Sequence, residues 1–437
     1  MAVRAALRKP GAPAPSQSIM AMHPFTIAFL LALALATVVK LWLAARHVRH
    51  VAAHRESLPP EFDGKISLES HHKAADYTVA KTRLSMIDTL IGAVMVLVFT
   101  LGGGLEAIST GWAGVFESGG YAHGIALIGS LVVIGTIIDM PLSIYRTFVL
   151  EQRFGFNRMT AKLFLADLAK HTAVGAAIGI PLLFGVLWLM ARMGENWWLY
   201  VWLAWAAFNL LLLMLYPTLI APLFNKFSPL EDASLRERIE NLLVKCGFHA
   251  QGLFVMDSSK RSSHGNAYFT GFGRAKRIVL FDTLIQRLSP AEIETVLAHE
   301  LGHFSHRHVV KRIVMLFVSS LGLLWLLGQL IEMEWFYAAL GVQTRSMAMA
   351  LMLFFMALPS FIFLLQPLTS YFSRKQEFEA DAYAAAHSQA EDLVQALVKL
   401  YRDNAATLTP DPVHSAFYDS HPPAMTRIAR LHAAAAK

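Results

Sequence analysis

Val296-Leu297-Ala298-His299-Glu300-Leu301-Gly302-His303-Phe304 places two imidazoles and a carboxylate inside one apolar run. On a helix, residues i and i+4 stand one turn apart on the same face. His299 and His303 can therefore offer ring nitrogens to one ion, with Glu300 beside it. Just upstream, Ser289-Pro290-Ala291-Glu292 supplies an N-cap, a proline at the first helical position and a glutamate three residues past the cap. That is a capping box, and it marks where the helix starts. The surroundings, Val296, Leu297, Ala298 and Leu301, are apolar, a costly place for a polar cluster without a ligand. The stretch reads as a zinc-protease signature.

Two histidines do not hold a catalytic zinc, which takes three protein ligands and leaves a fourth position to water. The chain's only cysteine, Cys246, excludes a cysteine-rich site and an internal disulfide. His306 stands seven residues from His299, roughly 10.5 Å along a helix, whereas each ligand must approach zinc to about 2.1 Å. His306 and His308 are accordingly read as helix-face residues. The HExxHxxGxxH pattern also fails, since it needs glycine at His306 and histidine at Val309. A carboxylate from another element remains. Arg374-Lys375-Gln376-Glu377-Phe378-Glu379-Ala380-Asp381 begins a helix just beyond the seventh apolar span. Glu377 and Asp381, i and i+4, face one way, so Glu377 can ligate while Asp381 orients a histidine N–H or the water. Glu379 points about 200° round the helix and is expected in solvent. Alone, this acidic run would read as a solvated face; paired with the histidine motif it reads as the missing ligand. Glu300 is then the general base of a peptide hydrolysis.

The rest of the chain is a membrane protein. Hydrophobic residues make up 55% and charged residues 16% of 437, and the mean hydropathy is +0.45. The net charge of +7 comes from bases scattered between apolar blocks, which argues for a membrane surface and against nucleic acid. Spans of bilayer length run over 25–45, 86–105, 125–149, 172–190, 197–224, 313–331 and 347–372. The first, third and fifth loops are rich in Lys and Arg and the others poor. By the positive-inside rule the N-terminus lies outside and the motif and C-terminus in the cytoplasm; Arg4, Arg8 and Lys9 alone argue otherwise. Asp88 and Asp139 fall within spans, where an ionisable group needs either a local partner or a water-filled interior.

The expected division is a disordered extension over 1–23, five membrane helices over 24–224, a cytoplasmic metallopeptidase domain over 225–312, two further membrane helices over 313–372, and a cytoplasmic segment over 373–437. In the domain, Ser228-Pro229-Leu230-Glu231 is read as capping a helix through Leu235, Ile239 and Leu243. Strands are expected over 253–256, 266–272 and 277–281. The fold class is predominantly α, a seven-helix membrane bundle with an α+β peptidase domain.

The chain resembles the type I CAAX prenyl proteases over about 147–431. The resemblance is carried by Thr147-Phe148-Val149-Leu150-Glu151, Gly155-Phe156-Asn157, 216–225 (YPTLIAPLFN), 260–268 (KRSSHGNAY), the two metal-site stretches, and His421-Pro422-Pro423 with Arg427. It implies a helical bundle enclosing a chamber and one zinc per chain, bound by His299, His303 and Glu377. It further implies Glu300 as base, Asp381 as supporting acid, and Asn266, Ala267, His421 and Arg427 as substrate contacts. Residues 266–268 also read as an edge strand that an extended peptide could join. The implied substrate is a peptide or protein, lipidated in the CAAX case, met in the bilayer by a monomer. General quality control of membrane proteins is the alternative peptidase reading. A non-catalytic transporter built on Asp88 and Asp139 is the alternative of another class, against which stands the long domain between spans five and six.

Overall fold

The structure, a computed structural model, describes residues 22–270 and 276–435. The N-terminal extension, except Met22 and His23, and the end of the strand expected over 266–272 lie outside them.

Seven helices are long and apolar enough to cross a bilayer: Pro24–Ala53, Leu68–Phe99, Tyr121–Glu151, Ala161–Arg192, Gly194–Phe224, His308–Leu330 and Met347–His387. Each expected span overlaps one of them, but the second, expected to reach Leu105, ends at Phe99 and the sixth, expected to reach Ile331, ends at Leu330, while most helices are longer than the expected span. The second begins at Leu68, where Ser67 accepts the Ser70 N–H, and the fourth at Ala161, capped by Thr160. Pro141 does not end the third helix, which instead widens into a π turn over Arg146–Glu151.

These helices do not pack as a solid bundle. In spans two to six only 17, 6, 11, 6 and 11% of the apolar window is buried, so each helix has more than one face free of protein. They converge at one end, where Phe29, Phe99, Leu127, Leu187, Val201, Leu327 and Met349 form a core. Every one of these residues lies at the end of its helix remote from the segment between spans five and six. Smaller clusters join them again toward the other end, Tyr77 and Leu84 with Leu150, and Ala36 and Leu43 with Phe363, and the sparsely buried helices between enclose a chamber. Asp139 is exposed and borders an open pocket of about 500 Å³ together with Asp167, His171 and Arg261.

Between spans five and six lies a small sheet of β1 (Phe227–Pro229), β2 (Gly252–Met256), β3 (Ala267–Thr270) and β4 (Arg277–Phe281) in the order β1-β2-β4-β3. β2 and β4 are parallel and the other pairs antiparallel, which leaves β3 at an edge. Ser228 and Pro229 belong to β1; the following helix, Ala233–Lys245, is capped by Asp232, whose Oδ1 accepts the Leu235 N–H at 3.0 Å. Leu235, Ile239 and Leu242 of that helix, Ile278 and Leu280 of β4, Leu297 and Leu301 of the motif helix, and Val394 and Leu397 further on share one core. The segment before β3 is fastened to the membrane helices. Arg261 grips Asp167 through two hydrogen bonds of 2.8 and 2.9 Å and reaches Asn225 Oδ1 at 3.0 Å, while Asn157 and Ser262 form a β-bridge.

Candidate metal centre

The motif helix runs from Pro290 to Ser305. Its capping box is complete: Ser289 Oγ accepts the Glu292 N–H at 3.3 Å and Glu292 Oε2 accepts the Ser289 N–H at 2.7 Å. Lys399 also donates to Glu292 Oε2 at 2.7 Å, tying the helix start to Ala390–Asp403. Ile293, Leu297 and Leu301 face the core. The neighbouring face, carrying His299, Gly302 and His303, lies against Gln366–His387.

Glycine is required at that crossing. A Cβ on Gly302 would stand 2.9 Å from Ala380 Cα, 3.0 Å from Tyr383 Cβ and 3.1 Å from the Ala380 carbonyl oxygen. Only a residue without a side chain admits the second helix so closely, and the closeness brings Glu377 to the histidines. The helix carrying Glu377 does not begin beyond the seventh span, as expected from the sequence. It is the seventh span, continued through a 3₁₀ turn at Phe363–Leu365, so the membrane helix itself delivers the carboxylate.

His299, His303 and Glu377 each point one ligand atom into a common space, with all three atoms within 4.8 Å of one another. His299 Nε2 lies 3.4 Å from Glu377 Oε2 and His303 Nε2 3.4 Å from Glu377 Oε1. Donors about 2.1 Å from a tetrahedral zinc stand roughly 3.4 Å apart, so the spacing fits such an ion. Glu377 Oε2 is buried and has no hydrogen-bond donor, an arrangement that costs free energy unless a cation completes it. The donor set, two imidazoles and a carboxylate, fits a metal.

Each imidazole is held from behind. His299 Nδ1 lies 2.8 Å from Asp381 Oδ1, and Asp381 in turn accepts two hydrogen bonds from Arg427, of 2.8 and 2.6 Å. Burial opposes charge on His299, but Asp381 and Glu377 outweigh it and raise the imidazole to about 9, so this corner of the site attracts a cation. His303 behaves oppositely. Burial and the neighbouring His299 lower it to about 4, which leaves a neutral ring able to ligate. Its Nδ1 lies 2.9 Å from His308 Nδ1, and His308 Nε2 lies 2.9 Å from Glu379 Oε2. His308 is 1% exposed. The expectation of a helix-face His308 is thus corrected, and Glu379, expected in solvent, is partly exposed but pairs with His308. The motif helix stops at Ser305, Arg307 takes a left-handed conformation with φ 55°, and the next helix starts at His308. Helical periodicity projected past Ser305 therefore misplaces His308.

Glu300 faces a cavity of about 600 Å³ that is also bordered by His299, Asn266, Ala267, His421 and Arg427. Burial raises the Glu300 carboxyl above the usual carboxylate range, helped by Glu377 and opposed by His299. Asn266 is exposed and Ala267 opens the edge strand β3, its N–H capped by Asn266 Oδ1 at 2.8 Å. Because Asn266 and Phe281 are hydrogen-bonded partners, the alternation of an antiparallel pair turns the Ala267 and Phe269 backbone groups toward the free edge. His421 stands with Nε2 3.4 Å from Glu377 Oε2 on the open side of the site. Arg427, expected as a substrate contact, borders the cavity but commits its guanidinium to Asp381.

Two family models match, the CAAX prenyl protease N-terminal region of five membrane helices over residues 47–226 and peptidase family M48 over 229–435. CAAX prenyl protease 1 of Saccharomyces cerevisiae is 33% identical over 86% of this chain and 88% of its own. The chain belongs to the type I CAAX prenyl protease family. The homologue from Arabidopsis thaliana is 34% identical over 85% of this chain and 89% of its own, and that from Homo sapiens 30% identical over 90 and 93%. The crystal structure of S. mikatae Ste24p superposes with a TM-score of 0.86 at 32% identity, covering 94% of this chain and 99% of that one. As a member of the family this chain is a multi-pass membrane metallopeptidase acting on peptide or protein substrates, which removes the transporter reading.

Proposed function

We propose that the chain is a zinc endopeptidase that removes C-terminal residues from lipidated, CAAX-type substrates at the membrane. The observation that carries the reading is the meeting of His299 and His303, beside Glu300, with Glu377, which is carried by a helix continuous with the seventh membrane span. His299, His303 and Glu377 hold one zinc ion. Bound there, zinc supplies a Lewis acid that polarises a carbonyl and lowers the pKa of a water from about 15.7 to about 7. Glu300 takes the proton of the attacking water and returns it to the leaving amine, a task suited to a carboxyl whose burial has made it more basic. Asp381 holds the His299 ring with Nε2 toward the ion, and Arg427 holds Asp381. The substrate backbone adds to β3 at Ala267, with Asn266 and His421 completing its contacts.

Residues 225–312 and 373–437 form the peptidase portion and 24–224 with 313–372 the membrane portion, in a chain that works as a monomer. The base-rich odd loops orient it with the N-terminus outside and the metal centre in the cytoplasm. The test is metal analysis of the purified full chain together with cleavage of an S-prenylated peptide and an unprenylated membrane peptide, with and without chelator. Zinc near one per chain, chelator-sensitive cleavage and preference for the prenylated peptide are expected. Cleavage that survives removal of all metal would overturn the metal roles; equal use of both peptides would favour general quality control.

A further inference from the structure

We propose that Lys81 binds the free C-terminal carboxylate of the substrate and so sets how far from its end a chain is cut; this rests on the C-terminal processing reading above. The lining of the cavity that holds Glu300 also includes Tyr77 and Lys81 of the second membrane helix. A peptide that loses its last three residues presents a carboxylate about three strand residues beyond the scissile bond, roughly 10 Å away at ~3.3 Å per residue. A cavity of about 600 Å³ is on the order of 8 Å across, the cube root of its volume, so a cation elsewhere on its lining stands at the right scale of distance from Glu300.

The other cations of the cavity are already engaged. Arg427 is bound to Asp381 through two hydrogen bonds, His299 is turned to Glu377 and Asp381, and His421 has Nε2 3.4 Å from Glu377 Oε2 and Nδ1 2.9 Å from Ser420 Oγ. His264 is stacked on Phe156 with its Nδ1 3.1 Å from Asn404 Oδ1. Lys81 is exposed and pairs with no carboxylate among the described residues. Its ammonium lies over the Tyr77 ring, 5.0 Å from the centroid, and that ring is fixed because the Tyr77 hydroxyl donates to Glu151 Oε1 at 2.6 Å. Glu151 is the nearby countercharge; one oxygen takes the tyrosine hydroxyl and the other lies 3.6 Å from His264 Nε2. The ammonium is therefore positioned by a cation–π contact and keeps its three N–H donors for a ligand. A charge-assisted hydrogen bond from Lys81 favours a carboxylate over the neutral amide of the same peptide.

The experiment uses the zinc-loaded full chain in proteoliposomes and one S-prenylated peptide prepared with either a C-terminal carboxylate or a C-terminal amide. Wild type is expected to prefer the carboxylate by on the order of 10–100-fold in kcat/KM. Lys81→Met should collapse the ratio toward one, mainly through KM, and Lys81→Arg should restore most of it. A structural role for Lys81 would depress both substrates alike and leave the ratio standing. A wild-type ratio near one, with both peptides cleaved, overturns the inference while the peptidase reading stands. A ratio that survives in Lys81→Met also overturns it. Failure to cleave either peptide overturns the processing reading itself.

Discussion

Replacing Gly302 by alanine leaves every candidate ligand in place and should nevertheless disable the metal centre. The new Cβ would sit 2.9 Å from Ala380 Cα and 3.0 Å from Tyr383 Cβ, whereas carbon atoms rest at about 3.5–4.0 Å. The motif helix and the seventh helix must then part by roughly 0.6 Å or more, since neither obstacle is the free end of a flexible side chain. Glu377 lies one turn before Ala380 on the displaced helix, and metal–ligand distances tolerate only about 0.2 Å. Overpacking of this kind costs about 1–3 kcal/mol, so the protein should fold. Its zinc affinity should fall at least as far as on loss of an outer-shell partner, on the order of 10–100-fold. Equilibrium competition with a chelator measures it, with thermal unfolding of the metal-free protein as the fold control. Gly322→Ala, in the sixth membrane helix with nothing within 4 Å of the added atom, should bind as wild type. Wild-type zinc affinity in Gly302→Ala would refute the claim that this crossing sets the position of Glu377.

Glu300→Gln should retain zinc and lose turnover by on the order of 10²–10⁴-fold; near-wild-type rates would remove Glu300 from the chemistry. Chelator competition should rank Glu377→Ala as the most damaging change, with Asp381→Ala and Glu379→Ala each losing about 10–100-fold; an unaffected Glu379→Ala would detach His308 from the site. Arg427→Leu strands a buried carboxylate on Asp381 and should cost about 3–5 kcal/mol in unfolding measurements, part of which the added change Asp381→Asn should return. Cysteine at Ser118 should label from outside intact cells and cysteine at Ser234 should not, the reverse pattern inverting the proposed orientation.

What the sequence made legible is what local rules govern. A bilayer demands about 20 apolar residues per helix, so each span from Phe25 to Phe372 could be found by hydropathy. The capping box at Ser289 and the i, i+4 histidines are contained in fifteen residues of one helix. Hydropathy reports where the bilayer ends and not where the helix ends, which is why Leu68–Phe99 and Ala161–Arg192 begin well before their apolar stretches. The same blindness hid the continuity of the seventh span into Glu377. Asp232 displaced Ser228 as the helix cap because Ser228 pairs with Val255 of β2, a contact set by a strand distant in sequence.

The acidic run Glu377, Glu379 and Asp381 shows how tertiary packing reassigns residues that periodicity had separated. Glu377 and Asp381 share a face and meet the ligand pair and its first support, as their spacing requires. Glu379 lies on another face and, judged from His299, has nothing to contact. The motif helix, however, ends before Arg307, whose left-handed conformation starts a new helix at His308, so His308 arrives beside Glu379 with its other nitrogen against His303. If His303 gives Nε2 to a metal, its Nδ1 carries the proton and donates to His308, and the proton on His308 Nε2 points to Glu379. Every donor in that row then has an acceptor, and the row ends on a carboxylate, which fixes its direction. All three carboxylates of one helical turn and a half are thus accounted for by three imidazoles, His299, His303 and His308, the last brought in through a turn whose left-handed residue carries no glycine to announce it.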